Sequence, residues 1–145
     1  AAAIGGRSLA GWLMPKDGDR RRVACLSHLV QIVGSVALIG ALLVADSSQP
    51  ALLAVGVLLF GAGIGNTTSL PPLIAQVEFS KEDVGRVVPL IVAIGQATYA
   101  FAPAAFGWLR TLSPSDVLGE GLPVFVAAGL IQAAAILFFL TGRRR

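Results

Sequence analysis

Asn66, Thr67, Thr68 and Ser69 form the densest run of hydrogen-bonding side chains within the long apolar stretches of this sequence, and Pro71 and Pro72 follow directly after Leu70. Two prolines in a row remove two backbone donors, so a helix passing through them has to kink or loosen. Carbonyls about one turn earlier, near Thr67 and Thr68, lose their partners. Hydroxyls and an amide at such an interruption have two open readings: they line a cavity for a polar solute, or they cap the freed backbone and glue helices together. Gly61 and Gly65, just before, form a GxxxG pair that lets another helix approach closely. Gln96, Tyr99 and Pro103 make a second polar group, spaced i, i+3 and i+7 on one helical face. A tyrosine away from the membrane interface needs a hydrogen-bond partner, so cavity lining and interhelical bonding are again both open. His28, Gln31 and Ser35 repeat the same spacing. A packed histidine is the plainer reading there, a proton relay the sharper one. Gln132 reads as interhelical glue.

Arg7 is the one full charge set deep in an apolar stretch. It lies about two turns before a charged turn, or on the order of 10 Å at 1.5 Å per residue. A charge at such depth costs about 2.5–3.5 kcal/mol or more. It has either to anchor a carboxylate or an internal partner, or to snorkel to the near face. No Asp or Glu lies inside the complete apolar runs, so a proton-coupling carboxylate is upstream or absent. A single histidine and a single cysteine, Cys25, leave no metal-ligand set, no disulfide and no nucleophile–base pair. No phosphate loop is present. The pattern excludes an enzyme and calls for no cofactor.

The elements that position these residues follow from composition. The chain has 145 residues, 55% hydrophobic and 13% charged, with mean hydropathy +0.79. Its charges fall in short clusters separated by long uncharged runs, the pattern of membrane spans and loops. Residues 1–14 are too short to cross a bilayer, which takes about 20 residues, and read as the end of a truncated helix. Runs 23–45, 51–77, 87–109 and 122–141 read as four complete spans. With no water to satisfy the backbone, each must be helical. The expected fold is therefore an all-α polytopic transmembrane bundle with the lipid bilayer as its first partner.

Orientation follows from the basic residues. Lys16, Arg20, Arg21, Arg22, Lys81, Arg86, Arg143, Arg144 and Arg145 all fall on one side, whereas the opposite turns hold only Arg110. The basic side should be cytoplasmic, with the C-terminus inside, in a cytoplasmic membrane. The net charge of +3 is thus a membrane signature and implies no nucleic-acid partner.

Three segments carry a family likeness. GRSLAGWLMPKDGDRRR (Gly6 to Arg22) resembles the Gly–Asp–Arg loop motif of the second half of major facilitator superfamily (MFS) transporters. GAGIGNTTSLPPLIAQVEF with KEDVGRVVPLIVAIGQATYAFAPAAFGWL resembles helices ten and eleven of that family. The last apolar run with its basic end resembles helix twelve. In the loop motif Pro15 stands where the family has Asp, four residues after Gly11. The resemblance implies the C-terminal half of an MFS-like fold, from the end of helix eight onward, with the missing N-terminal helices of the same protein as partner. It implies a small-molecule substrate moved by alternating access, and a cavity lined by Asn66, Thr67, Thr68, Gln96 and Tyr99. Arg7 matches an arginine that some monocarboxylate and oxalate/formate carriers place in helix eight, which implies an organic anion as one substrate class. In those monocarboxylate carriers an Asp precedes it by four residues, where this chain has Ala3. Asp17 or Asp19, with Arg20 and Arg21, is implied as a cytoplasmic latch that holds one state closed. The rival expectation is a non-transporting membrane scaffold that uses the same small-residue faces for helix association only.

Overall fold

The computed structural model describes residues 2–13, 19–44, 46–112 and 117–142. Six helices follow in order: α1 (Ala2–Leu13), α2 (Arg20–Leu43), α3 (Gln49–Thr67), α4 (Leu70–Glu78), α5 (Lys81–Thr111) and α6 (Val117–Thr141). No strand occurs among the described residues. Counting α3 and α4 as one interrupted span, four helical segments are long and apolar enough to cross a membrane. The chain is an all-α, multi-pass membrane bundle.

Local chemistry sets the ends. Asp19 caps α2 by accepting a hydrogen bond from the Arg21 amide at 3.0 Å. Ser80 caps α5 by accepting from the Asp83 amide at 3.2 Å, and Glu82 and Asp83 place negative charge in its first turn. Both α2 and α5 therefore start earlier than the apolar runs expected at Val23 and Val87. Charged residues are good helix formers once the chain has left the hydrocarbon, so the helix outlasts the apolar run. Before α3, the Asp46 carboxylate accepts from the amide and hydroxyl of Ser48. These bonds hold Asp46 below the usual carboxylate range. The turn is thus complete at neutral pH and loses these bonds only as the pH falls through that lowered value.

The stretch expected as one loosened span over 51–77 is two helices. Its prolines do not bend a continuous helix. They occupy the first turn of α4, where the missing N–H has no helical partner to lose.

Packing centres on α2, which lies against α3 on one side and α6 on another. The α2–α3 crossing is close because glycines face each other: a Cβ on Gly34 would lie 2.7 Å from the Phe60 amide nitrogen and 3.0 Å from the Gly56 carbonyl oxygen. α1 packs on α3 in the same way, with Gly6 against the Ala62 carbonyl and Gly65 against the Ala3 carbonyl. A small core of Ala24, Leu70 and Ile74 joins α2 to α4, with Val23 and Phe139 against it. By contrast α5 packs on α4 and α6 and buries none of its residues.

These approaches set a sign for glycine substitutions. Gly34→Ala meets backbone atoms that cannot move aside, and should lower stability by ~1–3 kcal/mol. Gly95→Ala on α5 meets open space and should be neutral or gain up to about 1 kcal/mol in helix propensity. Thermal melting of the full-length gene product in detergent compares the two. Equal midpoints for wild type and Gly34→Ala would remove the close crossing.

Candidate functional site

The interruption between α3 and α4 gathers four of the residues singled out above. Because the Ser69 amide turns back to the Asn66 carbonyl at 3.2 Å, the Gly65 carbonyl loses its ordinary helical donor. Two side chains replace it. The Arg7 Nε donates to it at 3.0 Å from α1, and the Ser69 hydroxyl donates at 3.3 Å. Arg7 also donates to the Thr68 hydroxyl at 3.5 Å. A cation on the last carbonyls of a helix is favoured by the helix dipole as well as by the bonds themselves. Arg7 therefore does not simply snorkel away; it caps the broken end of the neighbouring helix.

Asn66 is 7% exposed and donates from Nδ2 to the Gly6 carbonyl at 3.5 Å. Thr67 turns its hydroxyl to the Ile64 carbonyl at 2.8 Å. Asn66 and Thr67 thus bond to backbone, whereas Thr68 is exposed and meets Arg7. Gln96 and Tyr99 lie elsewhere. Both are exposed on α5, Tyr99 by 78%, and α5 packs chiefly on α4 and α6. The structure brings Arg7, Asn66, Thr67 and Thr68 together and leaves Gln96 and Tyr99 on a separate open face.

At the end of the bundle where α2 begins, a second cluster ties three elements. Arg21 makes a bidentate ion pair with Glu78 at the end of α4. It also donates to the Phe139 carbonyl at 2.9 Å and the Gly142 carbonyl at 3.2 Å at the end of α6. The side chains of the pair are 14% and 27% exposed, and Glu78 as a residue lies at the surface. The fork geometry of a guanidinium suits such a junction, since each N–H has a fixed direction. Arg20 donates to the Leu73 carbonyl at 2.6 Å. Asp19 caps α2 and lies 3.7 Å from Arg22. Asp17 lies outside the described residues.

Arg21 takes its carboxylate from Glu78, while Asp19 sits at the N-terminus of α2. Sequence reading missed Glu78 because its partner is 57 residues away and no periodicity links them. An acidic residue at the very end of an apolar run, level with a basic cluster, is the signal that was there.

On α2, His28 stacks on Phe139 with ring centroids 5.9 Å apart. Gln132 Nε2 donates to Gln31 Oε1 at 3.2 Å across the α2–α6 seam, and the Ser35 hydroxyl donates to the Gln31 carbonyl at 3.0 Å. No group of three or more potential metal ligands occurs among the described residues.

With this geometry in place, comparison with known proteins adds one relative. Over 132 residues the chain is 33% identical to the glucose transporter GlcP of Staphylococcus epidermidis (strain ATCC 12228 / FDA PCI 1200), covering 83% of this chain. The chain spans 28% of the length of that relative. No family model matches it, and no solved structure matches it.

The end-of-bundle junction makes a graded prediction. Arg21→Ala should cost more than Glu78→Ala, because Arg21 also holds two carbonyls of α6. Hydrogen bonds to charged groups contribute about 1.5–3 kcal/mol. The double variant should lose less than the sum of the singles. A double-mutant cycle from thermal melting reads this, and additive losses would show that the pair is not coupled.

Proposed function

We propose that this chain is the C-terminal part of an MFS-type secondary transporter that moves a small polar solute by alternating access. The observation that carries the reading is the likeness to the glucose transporter over most of the chain. The interrupted third span supports it. A helix broken inside a membrane exposes backbone groups that a polar solute can use, and here the break is held by one arginine on neutral oxygens.

In this reading Arg7, Thr68 and Asn66 form one wall of the solute path, with Thr67 behind them. Gln96 and Tyr99 face the path from α5 when the remaining helices of the protein are in place. The Arg21–Glu78–α6 junction is the latch at the cytoplasmic end, and Asp17, Asp19 and Arg20 border it. It closes one state and opens in the other. The C-terminus is cytoplasmic.

For the substrate we infer a sugar, the class that the relative's name brings. Neutral oxygens around Arg7 and side chains such as Thr68, Asn66 and Gln96 suit hydroxyl groups, which both donate and accept. An organic anion is the second reading. What favours it is that Arg7 has no carboxylate within ion-pair distance among the described residues.

Counterflow in proteoliposomes with the full-length gene product separates the readings. Labelled glucose should exchange, and small monocarboxylates should not compete. Arg7→Ala should raise KM about tenfold, the equivalent of one hydrogen bond of ~1.4 kcal/mol. Monocarboxylate competition that vanishes in Arg7→Ala would favour the anion. Kinetics unchanged in both Arg7→Ala and Gln96→Ala would remove the proposed wall, and a reconstituted protein that moves no solute would leave the scaffold reading.

A further inference from the structure

We propose that the α2–α6 seam binds one ordered water between Gln31 and Gln132, with His28 as its third partner, and that this hydrated amide pair fixes the rotation of α6 on α2. Gln31 and Gln132 are 4% and 6% exposed, so each is more than nine-tenths buried. A carboxamide has an acceptor oxygen and a donor nitrogen. The single bond from Gln132 Nε2 to Gln31 Oε1 at 3.2 Å uses one of each. What remains is a donor, Gln31 Nε2, and an acceptor, Gln132 Oε1. His28 Nδ1, one turn earlier on the same face of α2, is a third buried polar atom without a partner among the described residues. Buried polar atoms in a medium of low dielectric are costly when left unmatched.

The two amides share one bond, and the Gln31 nitrogen lies on the α3 side. Gln31 is wedged against α3 at Gly63. A Cβ on Gly63 would lie 2.8 Å from Gln31 Nε2 and 2.6 Å from the Ser27 carbonyl oxygen. The glycine makes the niche that holds the Gln31 nitrogen toward α3 while its oxygen faces α6.

The leftover groups define their ligand. It must accept from an amide N–H and donate to an amide oxygen. A cation is repelled by the donor, and an anion by the acceptor. Water does both, and two to four polar partners are what a buried water takes. In the neutral Nε2–H tautomer, His28 Nδ1 accepts its second hydrogen. Phe139 stacks on the His28 ring from α6.

The test uses the full-length gene product in lipid nanodiscs, imaged by single-particle electron microscopy at a resolution that shows waters. The expected result is a compact density within hydrogen-bonding distance of Gln31 Nε2 and Gln132 Oε1, absent from the Gln31→Leu/Gln132→Leu double variant. A direct two-bond amide pair with nothing between, or an elongated density of a larger solute, overturns the proposal. Melting gives a second measure. Each single leucine variant strands one amide, so both should melt below the double variant. A double variant that melts at or below the lower single shows that the two amides and their shared ligand are not coupled.

Discussion

The carbonyl of Gly65 is where the bundle meets its hardest constraint. Where a membrane excludes water a backbone oxygen needs a donor from the protein, yet the turn of the Ser69 amide to Asn66 takes the ordinary donor of Gly65 away. The Ser69 hydroxyl replaces it in part, and the shorter bond comes from another helix: Arg7 of α1. The exchange is reciprocal, because Asn66 at the same end of α3 donates to the Gly6 carbonyl of α1. Each helix supplies a donor to the other's backbone. That exchange needs the backbones close, and Gly6 against Ala62 with Gly65 against Ala3 allows it. The break, the glycines and the arginine are thus one arrangement.

The same principle runs through the rest of the molecule. Association of helices in lipid has little hydrophobic drive, so it rests on close packing and on polar bonds. α2 uses both. Gly34 and Gly56 bring it against α3, Gln31 bonds Gln132 on α6, and Arg21 ties its first turn to α4 and to the end of α6. α5 packs less closely. Gly85, Gly95 and Gly107 face open space, and its threonine Thr98 bonds to its own helix at Ile94. Its polar face of Gln96 and Tyr99 is presented outward, not consumed in packing.

Much of this was legible in the sequence for physical reasons. Uncharged runs of bilayer length admit only helices, so the all-α membrane fold follows from composition. The prolines marked the interruption, although their place in a new first turn depends on the Thr68–Ser69 turn, which composition does not specify. Gln132 read as interhelical glue, and it bonds Gln31. Partners were not legible where they depend on three-dimensional register. Nothing local ties Arg7 to Gly65 or Arg21 to Glu78, since both pairs join segments more than fifty residues apart. Nor does the i, i+3, i+7 spacing of Gln96, Tyr99 and Pro103 say which way that face turns. Spacing assigns residues to one face of a helix, but only packing assigns the face to a neighbour or to open space.

Among the polar residues at the break, availability differs more than type. Asn66 is buried and committed to a backbone carbonyl, and Thr67 is committed to its own helix. A solute that takes either must first replace a bond already made to a backbone oxygen. Thr68 is exposed, and its bond to Arg7 at 3.5 Å is the longer of that arginine's two. Replacing it frees no backbone group, because Arg7 keeps the Gly65 carbonyl through Nε while its terminal nitrogen turns to the newcomer. Thr68 and the far end of the Arg7 guanidinium are therefore the polar groups at the break least committed to the backbone. The helix break stays capped while they are engaged.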